Sequence, residues 1–118
     1  PLEIILANKK NNLHTLLLLD LDPTGMGEEQ PQPMTPQIAI DTLNKMSQKL
    51  VDEGKPMIEN LLSWNAILCS NLGTKNQQIK YSSLGNLSSI ELIGMHCLII
   101  PSEPHEMELL ALNRWEVE

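Results

Sequence analysis

The chain has 118 residues, with eight Lys and Arg against fifteen Asp and Glu; the resulting formal charge of −7 disfavours the phosphate backbone of nucleic acids and anionic membrane surfaces. That length suits one domain, and 42% apolar content supports a core without metal or disulfide staples. Aromatic residues make up only 3% and Phe is absent, so the packing falls to Leu, Ile and Met. The lysines are scattered, and the longest apolar runs, Leu16 to Leu19 and Cys97 to Ile100, are far shorter than the roughly 20 residues that span a bilayer. The chain opens on Pro1 without an initiator Met, a basic leader or a cleavage site, and reads as a fragment.

Residues 1–12 combine a short apolar piece with a polar ANKKNN stretch and read as a linker or the end of a preceding helix, leaving 13–118 as the domain proper. The Leu-rich run His14 to Leu21 has the length and composition of a strand covered on both faces, central in its sheet. Asp22 to Pro33, rich in Pro, Gly and Glu, is a long loop. Thr35-Pro36 then start a helix, Thr as N-cap and Pro at the first turn, with Met34 placed to staple against Ala39. Ala39, Leu43, Met46 and Leu50 give that helix its apolar face, and Gly54-Lys55-Pro56 ends it. Residues 61–70 read as a second strand and Ile79 to Tyr81 as a short third. The stretch from Ser82 to Ile90 is open between a weak helix and turns. His96 to Pro101 is a last strand and Glu106 to Leu112 a short helix. Alternating strands and helices predict an α/β domain, a mixed sheet covered by helices on at least one face.

Chemistry is sparse in these residues. His14, His96 and His105 have no zinc-type spacing to one another or to carboxylates, and Cys69 and Cys97 lie too far apart for a knuckle, so no metal is expected. Both cysteines sit in apolar strand-like stretches and read as reduced core thiols. Asp20 and Asp22, two apart after a strand, are open between a cation or acid–base pair and plain loop solvation. Ser70, Gly73 and Thr74 follow the second strand, where a Gly permits backbone N–H groups to face a ligand, but a turn is the simpler reading. Asn86-Leu87-Ser88 matches a glycosylation sequon with no sign of secretion. No catalytic residue emerges.

Three separated segments carry a resemblance: LHTLLLLDL (13–21), MTPQIAIDTLNKM (34–46) and HCLIIPSEPHEMELL (96–110). In order and spacing they resemble the second half of the diphthine synthase family, methyltransferases with the tetrapyrrole-methylase-like fold. The resemblance spans roughly residues 8–113. It implies an S-adenosylmethionine-dependent enzyme that methylates the modified histidine of elongation factor 2 in diphthamide biosynthesis, a cytoplasmic homodimer of two α/β domains with the methyl donor between them. This chain would be the C-terminal domain, lacking its N-terminal domain and catalytically silent alone. Carried over by position, donor contacts fall on Leu19, Leu72 and His96: Leu19 and Leu72 offer apolar and backbone contact to the adenosine part and His96 a hydrogen bond. Core packing for Leu19 and a strand-end hydrogen bond for His96 stay open beside that reading. The chain departs from the family at Ser70-Asn71, where Ala-Arg is usual, and at Ser102-Glu103. A non-catalytic α/β domain for dimerisation or protein binding is the alternative from another class.

Overall fold

The computed structural model describes residues 2–19, 34–54, 60–91 and 94–116. In chain order they form α1 (Leu2–Lys10), β1 (Thr15–Leu19), α2 (Pro36–Asp52), a 3-10 turn (Leu61–Ser63), β2 (Asn65–Ser70), β3 (Gln78–Ser83), α3 (Leu84–Ser88), β4 (His96–Ile100) and α4 (Glu106–Asn113). The strands make one sheet in the order β1-β4-β2-β3. The predicted α/β class is what forms. All three ladders of the sheet are antiparallel, and a parallel element is confined to a bridge between Tyr81 and Glu116 at the β3 edge.

Period-two alternation divides the sheet into two faces. Thr15, Leu17 and Leu19 share a face with His96, Leu98 and Ile100 and with Ala66, Leu68 and Ser70, as the strand registers require. Against this face pack Leu2 and Ile5 of α1, Ile40, Leu43 and Leu50 of α2, and Leu84 and Leu87 of α3, forming the main core. Each such side chain contributes about 1.5–3 kcal/mol on leaving water. The opposite face carries Ile67, Cys69 and Tyr81 with Ile79, Cys97 and Ile99, and receives Leu112 from α4.

The Leu-rich first strand departs from expectation. It is an edge strand rather than a central one, and it is not covered on both faces: burial alternates along it, leaving Leu16 58% and Leu18 68% exposed. A run of identical leucines carries no alternation of its own, so which face is wetted is decided by what packs there. Residues 2–10, read as linker or helix end, are helical and contribute two fully buried side chains. Asn12 turns the chain from α1 into β1 with a left-handed φ of 58°. Lys9, at the last turn of α1, lies 4.5 Å over the Trp64 ring and donates to the Pro101 carbonyl at 3.1 Å, and its partial burial lowers its pKa. The second strand begins four residues later than expected because Leu61 to Ser63 are wound into the 3-10 turn, while the third is longer and the undecided stretch after it holds α3. The long loop from Asp22 to Pro33, with Asp20, lies outside the described residues.

The helix α2 follows its sequence signals closely. The Thr35 hydroxyl accepts from the Ile38 amide at 3.2 Å, Pro36 occupies the first turn, and Ala39, Leu43 and Leu50 are buried with Met46 beside them. Thr35→Ala removes an acceptor from an otherwise unsatisfied N–H and is expected to cost about 1 kcal/mol in urea unfolding, with Thr35→Ser close to wild type.

Candidate functional site

At one end of the sheet, β1 finishes as β4 begins and β2 ends beside them. Register places Leu19 opposite His96, and His96 opposite Ser70. A groove of about 260 Å³ runs around this end, lined by Leu18, Leu19, Cys69, Leu72, Met95, His96 and Cys97. Leu19 and His96 reach it from the helix-covered face, Leu18, Cys69 and Cys97 from the other, and Leu72 from the turn after β2. The three residues singled out from the sequence, Leu19, Leu72 and His96, therefore share one concave surface.

Two neighbours that sequence reasoning did not assign to the groove shape it. The Ser70 hydroxyl lies 2.8 Å from His96 Nδ1, and both side chains are buried, so the serine fixes the plane of the imidazole. Asn71 takes a left-handed φ of 53°, donates its amide to the Met95 carbonyl at 2.8 Å and accepts the Met95 amide on Oδ1 at 3.1 Å. This clamp extends the β2–β4 ladder by one position and holds Leu72 and His96 on the same rim. The signal for both was the departure from the family pattern at Ser70-Asn71, which shows chemistry changing there but not which strand the new side chains meet.

The weaker candidates resolve structurally. Thr74 donates its hydroxyl to the Asn71 carbonyl at 2.7 Å and accepts from Asn76 N at 3.1 Å, and the Gly73 amide donates to Gln77 Oε1 at 2.9 Å, so the Ser70–Thr74 string is a self-satisfied turn. His14 accepts the Ser102 amide on Nδ1 at 3.0 Å and meets Glu108 at 2.8 Å through Nε2, tying α4 to the start of β1. His105 caps α4 by accepting from Met107 N. Asn86 of the sequon lies in α3 with its side-chain amide donating to Ser82 Oγ at 3.1 Å. Among the described residues no three His, Cys, Asp or Glu side chains come together as a metal site, and no helix is long and apolar enough to cross a membrane. Asp20 and Asp22 lie outside the described residues.

These features define a class: an α/β unit with a four-stranded antiparallel sheet, three helices on one face and a fourth against the other, and a largely apolar groove at the sheet end. No family model matches the chain. It is 27% identical over 116 residues to a diphthine synthase of Methanocorpusculum labreanum, covering 98% of this chain and 40% of that protein. In fold it is similar to a crystal structure from Entamoeba histolytica assigned as a diphthine synthase, with a TM-score of 0.79 and 24% identity over 98% of this chain and 44% of the other. A further crystal structure of diphthine synthase gives a TM-score of 0.72 at 24% identity, covering 98% of this chain and 39% of that one. The resemblance to diphthine synthase thus holds in sequence and in fold across nearly the whole chain, which spans about two-fifths of the length of these relatives.

Proposed function

We propose that the chain is the C-terminal domain of an S-adenosylmethionine-dependent methyltransferase of the diphthine synthase kind, with Leu19, Leu72 and His96 taking the adenosine part of the donor. What supports this is the convergence of those residues, distant in sequence, on one groove. The lining fits such a ligand in kind. Leu18, Leu19 and Leu72 offer apolar contact for a flat base, and His96, oriented by Ser70, offers a hydrogen-bonding ring nitrogen at its edge. Among the described residues the groove lining contains no Lys, Arg, Asp or Glu, and the charged amino-acid end of the donor is assigned to groups of the N-terminal domain.

The donor supplies a methyl group on a sulfonium, which moves to its acceptor by in-line displacement. For such a transfer, positioning is worth several kcal/mol of barrier, about 7–11 at the upper limit, and little acid–base machinery is needed. The role of this chain is to bind and orient one side of the donor and exclude water from it. The proposed acceptor is the modified histidine of elongation factor 2 in diphthamide biosynthesis. The working form is a cytoplasmic homodimer, completed by the N-terminal domain.

A second reading, a non-catalytic dimerisation or protein-binding domain, is favoured by the exposed Leu16, Leu18, Met107 and Leu110. Titration calorimetry with S-adenosylhomocysteine separates the two. Binding is expected when the chain is mixed with a matching N-terminal domain and not with the chain alone, and His96→Ala in the mixture is expected to weaken it at least about tenfold through loss of one buried hydrogen bond. Absence of binding in the mixture would leave the second reading.

A further inference from the structure

Cys69 and Cys97 stand directly opposite each other across β2 and β4, and both thiols are free. Two backbone bonds fix the kind of pair they form. The Asn71 amide donates to the Met95 carbonyl two residues further along the same register, and hydrogen-bonded pairs alternate, so Cys69 and Cys97 are also a hydrogen-bonded pair. On the other side of β2, the Leu84 amide donates to the Trp64 carbonyl, which by the same alternation pairs Ser70 with Gln78 and turns the backbone groups of Cys69 toward β4. In such a pair the Cβ atoms stand about 5.5 Å apart, at the wide end of the cross-strand range. A disulfide requires about 3.5–4.5 Å. Both side chains nonetheless leave the sheet on the same face, pack in one cluster and line one groove. Met95 lies two residues before Cys97 on the same side of the strand, is half exposed, and lines the same groove as both cysteines.

We propose that Cys69, Cys97 and Met95 form a binding site for a soft monovalent cation of the Cu(I) class, held between the two thiolates with the Met95 thioether as a third donor. A bridging ion places two metal–sulfur bonds of about 2.3 Å where a disulfide places one S–S bond of about 2.05 Å, so it reaches across a wider Cβ gap than a disulfide can. Thiolate and thioether sulfur are the ligands that select such ions, whereas Zn(II) would want two further ligands. As one cation enters, three metal–sulfur bonds form, to the Cys69 and Cys97 thiolates and the Met95 thioether, and two thiol protons leave to solvent, with no transfer of electrons. Burial and the neighbouring Cys97 thiol push the Cys69 thiol up to about 11. The site does not depend on what the groove binds otherwise.

The test is an anaerobic titration of the 118-residue chain against Cu(I) held by the chromophoric chelator bicinchoninate. The chain is expected to withdraw one equivalent, Cys97→Ser to withdraw none while keeping its far-UV circular dichroism, and Met95→Leu to bind about tenfold more weakly. Failure of the wild-type chain to compete for the metal, or uptake that survives Cys97→Ser, overturns the site. Because Met95 is exposed, its variant tests the site even if Cys97→Ser fails to fold, and unchanged affinity there overturns the role of the thioether.

Discussion

Leu98→Ala is expected to lower unfolding stability by about 2–5 kcal/mol, the cost of losing the transfer energy of a buried side chain and leaving a cavity. Leu98 is fully buried on β4, which is paired on both sides, facing Leu17 across one ladder and Leu68 across the other. Its side chain belongs to the cluster that joins Ile5 of α1, Ile40 of α2 and Leu87 of α3. No single neighbour can collapse into the void without breaking contact with the rest. For a domain whose whole stability is about 5–15 kcal/mol, such a loss brings the folded state close to failure at physiological temperature. Leu18→Ala is the control: the same chemical change on the exposed side of β1 is expected to move stability by no more than about 0.5 kcal/mol. Urea unfolding of both variants, at unchanged m-value, checks the contrast. Equal losses would mean that the wetted face of β1 is covered in solution.

Gly94→Ala is expected to be the most damaging change at the groove. Gly94 has a φ of +120°, and a methyl group there would fall on the Asn71 carboxamide, within 2.7 Å of its carbon and 2.8 Å of its nitrogen. Two costs combine: a backbone conformation that side chains rarely adopt, and displacement of the group that accepts the Met95 amide. Together they are expected to destabilise by about 2–4 kcal/mol and to release the clamp that sets Leu72 and His96 on one rim. Gly73→Ala isolates the first cost. Gly73 has a φ of +80° but open space around it, so about 1–2 kcal/mol is expected there, without loss of the groove. Amide chemical shifts of Met95 and His96 provide the second readout. They should move in Gly94→Ala and stay in place in Gly73→Ala, and the opposite pattern would deny the clamp.

The sequence was most informative where a local rule is sufficient. Thr35-Pro36 fixes the start of α2, and its spacing of Ala39, Leu43, Met46 and Leu50 fixes the buried face, because capping and a 3.6-residue period are properties of the segment itself. The last strand and the helix after it were legible as short local runs, one apolar and strand-like, the other rich in Glu, Met and Leu. The residues proposed to take the donor were legible only through resemblance: a leucine in a leucine run, a leucine in a turn and a histidine at a strand end carry no chemical signature alone.

The sequence by itself thus determined the α/β class, the helix α2, the existence of the four described strands and a short set of residues worth locating. Tertiary structure alone decided that β1 is an edge strand, that Leu16 and Leu18 face outward, and that α1 belongs to the core. It also decided that Ser70 meets His96, that Asn71 clamps Met95, and that Cys69 faces Cys97. Apart from the docking of α1, which is side-chain packing on the finished sheet, these are settled by antiparallel register between residues 24 to 85 positions apart, and register depends on which faces find partners when the whole sheet closes.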